Sequence, residues 1–206
     1  MTTWLDLRND FVFRRVFGHS ELALRGLLND VLDRRGADAI TSLEYLPSDQ
    51  APEIPGFKLS IVDVKCRDAS GHTFVVEMQM VHVKGFLQRV MYNAAKAYIR
   101  PLRERGSYAD LTRVIGVSIC NFALWPDDER DRDGTPRIPM ASRWRFAEST
   151  TNADGIDAIE LAFFERPKQG DRQPATDIER WATLFLHAAE LEPRSIEGVP
   201  LTEAQR

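Results

Sequence analysis

Lys58-Leu59-Ser60-Ile61-Val62-Asp63-Val64-Lys65-Cys66-Arg67-Asp68-Ala69-Ser70-Gly71-His72-Thr73-Phe74-Val75-Val76-Glu77-Met78-Gln79-Met80 decides the fold. Phe57 to Cys66 and Thr73 to Met80 read as strands, and the polar Arg67-to-His72 piece between them has turn chemistry. Together they predict a hairpin. With the turn centred on Ser70, Asp63 lies opposite Glu77 and Lys65 opposite Val75. Directly opposed residues share a face, with Cβ atoms about 4.5–5.5 Å apart. Period-two alternation puts Lys65 and Gln79 on that face too. Val62, Val64, Cys66, Val76 and Met78 are then expected to turn the other way, into a core.

One face of an apolar hairpin therefore presents two carboxylates and an amide. At an effective dielectric near 20, roughly 3 kcal/mol opposes ionising both acids. A divalent cation is the natural compensator, because a hard ion such as Mg²⁺ takes one or two carboxylates together with water and substrate phosphate. The spacing alone is not specific, since a solvated strand face can carry the same residues.

Working outward, Asn9 to Gly18 predicts a short helix with Phe13, Val16 and Phe17 on one face. Ser20 is placed to cap a second helix, with Leu22, Leu24, Leu27, Leu28, Val31 and Leu32 as its apolar stripe and Gly36 as its end. Ile40 to Leu46 reads as a strand, and Pro47 to Gly56 as a loop. Lys84 to Arg105 has a helical period. Leu87, Val90, Met91, Ala94, Ala95, Tyr98 and Leu102 fall on one side, and Gln88, Tyr92, Lys96, Arg100 and Arg103 on another.

Leu111 to Phe122 resembles a buried strand. Arg143–Glu148 and Ile156–Phe164 are expected to pair across a turn at 152–155, and Thr176 and Glu179 form a capping box before a helix running to Glu190. The expected fold is α/β, a central mixed sheet flanked by helices. Residues 1–190 form the domain, and 191–206 are read as a short tail, a truncated oligomerisation region.

The 206 residues carry a net charge of −4, with a pI near 5.6, which disfavours a general nucleic-acid binder. The average conceals a basic segment. Val81 to Arg113 holds seven Lys and Arg against two acids, a net of +5, the footprint of a phosphate binder. Two lone cysteines, Cys66 and Cys120, exclude a disulfide framework or a structural zinc site and read as buried apolar groups. No 18-residue apolar run and no signal-peptide pattern occur, so a cytoplasmic protein that does not enter membranes is expected. Nucleotide-binding glycine motifs, serine-nucleophile motifs and paired-histidine metal motifs are all missing, and no small-molecule organic cofactor is expected.

The hairpin, with its Val62-Asp63 and Glu77-Met78-Gln79, resembles the PD-(D/E)XK core of the Rpn family of recombination-promoting, transposase-associated nucleases. Asp10-x-x-Phe13-Arg14-x-x-Phe17-Gly18 is similar to that family's opening motif, and Arg89-x-x-Tyr92, Tyr98, Ile159-Glu160-Leu161 and Trp181 keep its order. The similarity covers most of residues 5–190. It implies a restriction-endonuclease-like fold, Mg²⁺-dependent cleavage of DNA (Mn²⁺ substituting), and a part in recombination or mobile-element biology.

By position it implies Asp63 and Glu77 as metal ligands and catalytic acids, the Met78 carbonyl as a further ligand, and Gln79 in place of the superfamily's usual lysine. Lys65 can supply the missing cation, or else is a surface lysine. Asp10 can hold a metal-bound water. Arg89, Tyr92, Lys96, Arg100 and Arg103 are the expected DNA contacts, and a homodimer would suit double-strand cleavage. The competing expectation is an inactive DNA-binding or assembly module on the same fold.

Overall fold

The computed structural model describes residues 10–50, 60–101, 107–126 and 138–187. In chain order these form α1 (Asp10–Phe17), α2 (Glu21–Val31), β1 (Leu43–Leu46), β2 (Asp49–Gln50), β3 (Ser60–Ile61), β4 (Val64–Asp68) and β5 (Thr73–Gln79). Then follow α3 (Phe86–Ile99), β6 (Val114–Cys120), β7 (Ala141–Trp144), β8 (Ile159–Glu165) and α4 (Asp177–His187). Six strands make one mixed sheet in the order β1-β4-β5-β6-β8-β7, while β2 and β3 pair as a separate ribbon. β5, β6 and β8 run parallel at the centre, and the outer pairs are antiparallel. This is the expected α/β arrangement, a central mixed sheet flanked by helices.

Helices cover both faces, as parallel strands require. All seven residues of β6 are buried. On one face α1, α2 and α4 supply Phe13, Phe17, Leu24, Leu27, Leu28, Trp181 and Phe185 against Cys66, Phe74, Val76, Ile115, Val117 and Phe164. On the other, α3 closes over β5, β6 and β8, with Ala94 and Ala97 meeting Val75 and Val114, and Phe86 and Val90 meeting Cys120 and Phe163. Gly116 leaves room for Leu161 of β8, where a Cβ would come within 3.0 Å of the Leu161 side chain, while Ala94 of α3 at 3.6 Å would be in ordinary contact.

The hairpin register is the expected one. Val64 pairs with Val76 and Lys65 with Val75, which aligns Asp63 with Glu77. The turn between β4 and β5 is held by the Asp68 carboxylate, which accepts the Ser70 and His72 amides, and by Gly71 at φ +85°. Ser20 caps α2 through the Ala23 amide, and the Thr176–Glu179 capping box forms before α4. Both cysteines are free and buried; burial pushes each thiol up to about 12.

Several expectations need correction. The strand expected over 57–66 is broken: β3 ends at Ile61 and β4 starts at Val64, with a bend at Asp63. The Val62 amide bonds the Ser48 carbonyl, so Val62 leaves the β5 ladder and packs with Val75 under α3, not with Val64. The loop from Pro47 contains β2, and β1 begins only at Leu43. α2 ends at Val31 rather than near Gly36.

α3 is turned relative to its expected face. Phe86, Val90, Asn93, Ala94 and Ala97 are buried, whereas Leu87 and Met91 are exposed. The helix is also shorter than expected, and 102–106, with Leu102, Arg103 and Arg105, lie outside the described residues. So do Asn9, Phe57 to Leu59, and the tail expected over 191–206. Among the described residues no helix is long and apolar enough to cross a membrane.

Candidate active site

At the bend before β4 the backbone leaves the ladder, and a side chain takes over its bonding. The Asp63 carboxylate accepts the Met78 amide through Oδ2 at 2.7 Å. Its Oδ1 accepts Arg14 Nε, from α1, at 2.8 Å. Across the hairpin, Glu77 accepts the Asn93 amide group from α3, and Arg89 Nη2 stands 3.9 Å from its other oxygen. Two residues on, Gln79 donates to the Val81 carbonyl at 2.9 Å and accepts Arg89 Nη2. The site is thus an α3–β5–β4–α1 seam at one end of the hairpin.

The two acids are largely shielded, with side chains 9% exposed for Asp63 and 13% for Glu77. Burial raises the Glu77 carboxyl above the usual carboxylate range, and the Asp63 charge adds to this, against the Asn93 hydrogen bond and Arg89. Part of the charge for which the sequence pointed to a divalent cation is met by the protein's own groups. Arg14, Arg89, Asn93 and the Met78 amide already offset the two acids in part.

The sign of the Glu77 shift gives a prediction. In chelator, the folded protein holds this proton more tightly than the unfolded chain. The associated stability is complete below the unfolded value of 4.5 and is lost as pH rises through the folded value. Glu77→Gln should therefore melt higher than wild type at pH 8, by about 2–4 °C for each kcal/mol recovered, and converge with it near pH 4.5. Thermal melts across pH check this; a variant less stable at every pH would refute it.

Lys65 sits on the α3-side face opposite Val75 and is 7% exposed, so the surface-lysine alternative is set aside. Burial, with Arg100 and Arg67 nearby, lowers its ammonium below the usual lysine range. Met78 buries its side chain in the main core. Tyr92 is exposed, with the Lys96 ammonium 5.4 Å above its ring. Arg100 follows the end of α3 and donates to the Asp49 carbonyl. Asp10 opens α1, but its side chain, like Arg103, lies outside the described part. Arg113, counted in the basic segment, is instead committed to Asp157 and Glu160.

Two members of the constellation escaped the sequence reading. Asn93 is a buried polar residue within the apolar stripe of α3, a signal that was available. Arg14 gave no local signal, because its partner lies 49 residues away.

The carboxylates of Asp63 and Glu77, close enough for one charge to act on the other, are the hard oxygen donors that a Mg²⁺-type ion takes together with water and substrate. Among the described residues no group of three or more His, Cys, Asp or Glu is placed to form a larger cage. A family profile described as PD-(D/E)XK nuclease family transposase matches residues 7–199. Neither the curated proteins nor the solved structures return a match.

Proposed function

This chain belongs to the PD-(D/E)XK nuclease family of transposases, and on that premise we propose that it is a divalent-metal-dependent DNA endonuclease with Asp63, Glu77 and Gln79 as its site. The observation that carries the proposal is the meeting of Asp63 and Glu77 at the end of the hairpin, where Asp63 accepts the Met78 amide and its charge acts on Glu77, with Gln79 fixed beside them.

Asp63 and Glu77 would hold the metal, Mg²⁺ or Mn²⁺, with the Met78 carbonyl as a third oxygen. When bound, such an ion polarises the phosphate and makes water a better nucleophile. Hydrolysis forms a bond between water oxygen and phosphorus. The ester bond breaks with its electron pair on the leaving sugar oxygen, and the proton lost by the water is balanced by one gained by that oxygen. Gln79 is suited to orient the water. Its amide is fixed at both ends, and its carbonyl oxygen has a second lone pair. Lys65 adds positive charge along the same face, and Asp10 assists from α1.

Tyr92, Lys96, Arg100 and Arg103, with Arg89 nearest the site, would run along the phosphate backbone. Lys96 and Arg100, each replaced by Ala together, should lower the slope of log affinity against log salt by about two. Anisotropy titrations from low to high salt measure this, and an unchanged slope would remove the helix from the DNA interface. A homodimer acting in recombination or mobile-element biology would place two such sites on opposite strands.

The test of function is nicking of supercoiled plasmid with Mg²⁺ or Mn²⁺, alongside calorimetric titration of Mn²⁺. A second reading has one observation in its favour: Arg14 and Arg89 already neutralise the acids without a cation. On that reading the chain is an inactive DNA-binding or assembly module. Absent Mn²⁺ binding and absent nicking would select it.

A further inference from the structure

Cleavage of a phosphodiester places extra negative charge on the non-bridging oxygens at the transition state, and positioned donors are the main source of stabilisation. The hairpin face itself offers two carboxylates and a neutral amide. Two cations reach these groups from other elements: Arg14 of α1, which donates to Asp63 at 2.8 Å, and Arg89 of α3 beside Gln79 and Glu77. Arg89, on the first turns of α3, touches Gln79 Oε1 through Nη2 and stands 3.9 Å from Glu77. Its guanidinium carbon lies 5.6 Å from the centre of the Phe86 ring, which supports the group from below. Its side chain is 40% exposed, yet its Nε is buried without a hydrogen-bond acceptor. That nitrogen is shut away from solvent, so the guanidinium meets the outside through its Nη end.

We propose that Arg89 is a catalytic residue: it donates to the oxygens of the scissile phosphate, and Gln79 holds its guanidinium in place for that contact. This deepens the nuclease proposal and rests on it. The guanidinium has five N–H donors in a planar fork, and the two contacts in the structure engage only Nη2. Nε is closed off from solvent, which leaves Nη1, on a side chain that is 40% exposed, to reach a phosphate. Lys65 is a buried cation of the hairpin, but it lies opposite Val75, near Arg100 beyond the end of α3. Arg89 alone touches Gln79.

The experiment compares wild type, Arg89→Ala, Arg89→Lys and Gln79→Lys/Arg89→Ala, with Asp63→Ala as control. Single-turnover plasmid nicking at saturating protein, DNA affinity in Ca²⁺, Mn²⁺ titration and thermal melting are measured for each. Expected for Arg89→Ala is a loss of nicking rate of about a hundred- to a thousandfold, with Mn²⁺ binding and folding retained and DNA affinity little changed. The Gln79→Lys/Arg89→Ala variant puts an ammonium where the guanidinium stood and should recover at least about tenfold of that loss. Arg89→Lys, whose single point charge cannot reproduce the fork, should fall between.

Undiminished nicking by Arg89→Ala overturns the proposal. So does a loss confined to DNA affinity, which would make Arg89 a backbone contact. Loss of Mn²⁺ binding would make it a prop for Glu77 and overturn the proposal as well. Failure of the double variant to recover does the same. If wild type and Asp63→Ala are equally inert, the nuclease reading itself fails and takes this inference with it.

Discussion

Asp63→Ala and Glu77→Ala should each reduce Mg²⁺-dependent plasmid nicking by at least about a thousandfold, a loss of roughly 4 kcal/mol of transition-state stabilisation. They are the two acids that meet at the end of the hairpin, and neither has a nearby carboxylate substitute among the described residues. The two variants should differ in stability. Removing Asp63 leaves the Met78 amide and Arg14 without the acceptor they share, an expected cost of about 1–3 kcal/mol for the amide if it stays dry. Asp63→Asn keeps an oxygen for that amide and should fold like wild type while remaining inactive. Glu77→Gln should be inactive and more stable in chelator, the signature of a group whose burial serves function at the expense of the fold. Nicking by any of these variants at the wild-type rate would remove the pair from the mechanism.

Trp181→Ala should be the most damaging of the core truncations on the helical face. The indole is 1% exposed, and its ring centroid lies 6.0 Å from that of Phe17 in α1 and 6.2 Å from that of Phe185 in α4. Its Nε1–H donates to Asp30 in α2 at 2.7 Å, so one side chain ties three helices together. Truncating a buried aromatic of this kind costs about 3–5 kcal/mol, a large part of a total stability of about 5–15 kcal/mol. A fall in melting temperature of about 6–20 °C follows. Trp181→Phe keeps most of the packing and loses the hydrogen bond, so it should lie well between. Because α1 carries Arg14, the Trp181→Ala protein should also respond differently to Mn²⁺. A melting temperature within about 2 °C of wild type would contradict this account of the core.

The hairpin was legible because its information is local. A polar turn between two apolar runs sets the register, and the register alone aligns Asp63 with Glu77. Both caps were legible for the same reason, since each depends on residues three apart. Less could be read where long-range packing decides. The apolar stripe of α3 is wider than the strip the sheet can cover, so the sequence did not distinguish Leu87 and Met91, which are exposed, from Phe86 and Ala97, which are buried. The bend at Val62–Asp63 follows from a bond to Ser48, and the β2–β3 ribbon beside it has no signal in either segment alone. In the site, the acids announced themselves by type and spacing. Their partners Arg14 and Asn93 arrive from helices distant in sequence, and Arg89 was read as a backbone contact because its bond to Gln79 depends on how α3 lands.

The tight connection from Asp68 to His72 also gives the protein a remote point of failure. It lies about 17 Å of strand from Glu77, yet it meters how far β5 travels before meeting Asp63. One residue gained or lost there would slide the two strands out of step and send Glu77 toward the oily side of the sheet. Every chemical group would still be present in the chain. Small insertions at this spot should therefore silence the protein as thoroughly as deleting an acid, whereas comparable insertions in loops that do not set strand alignment should be harmless.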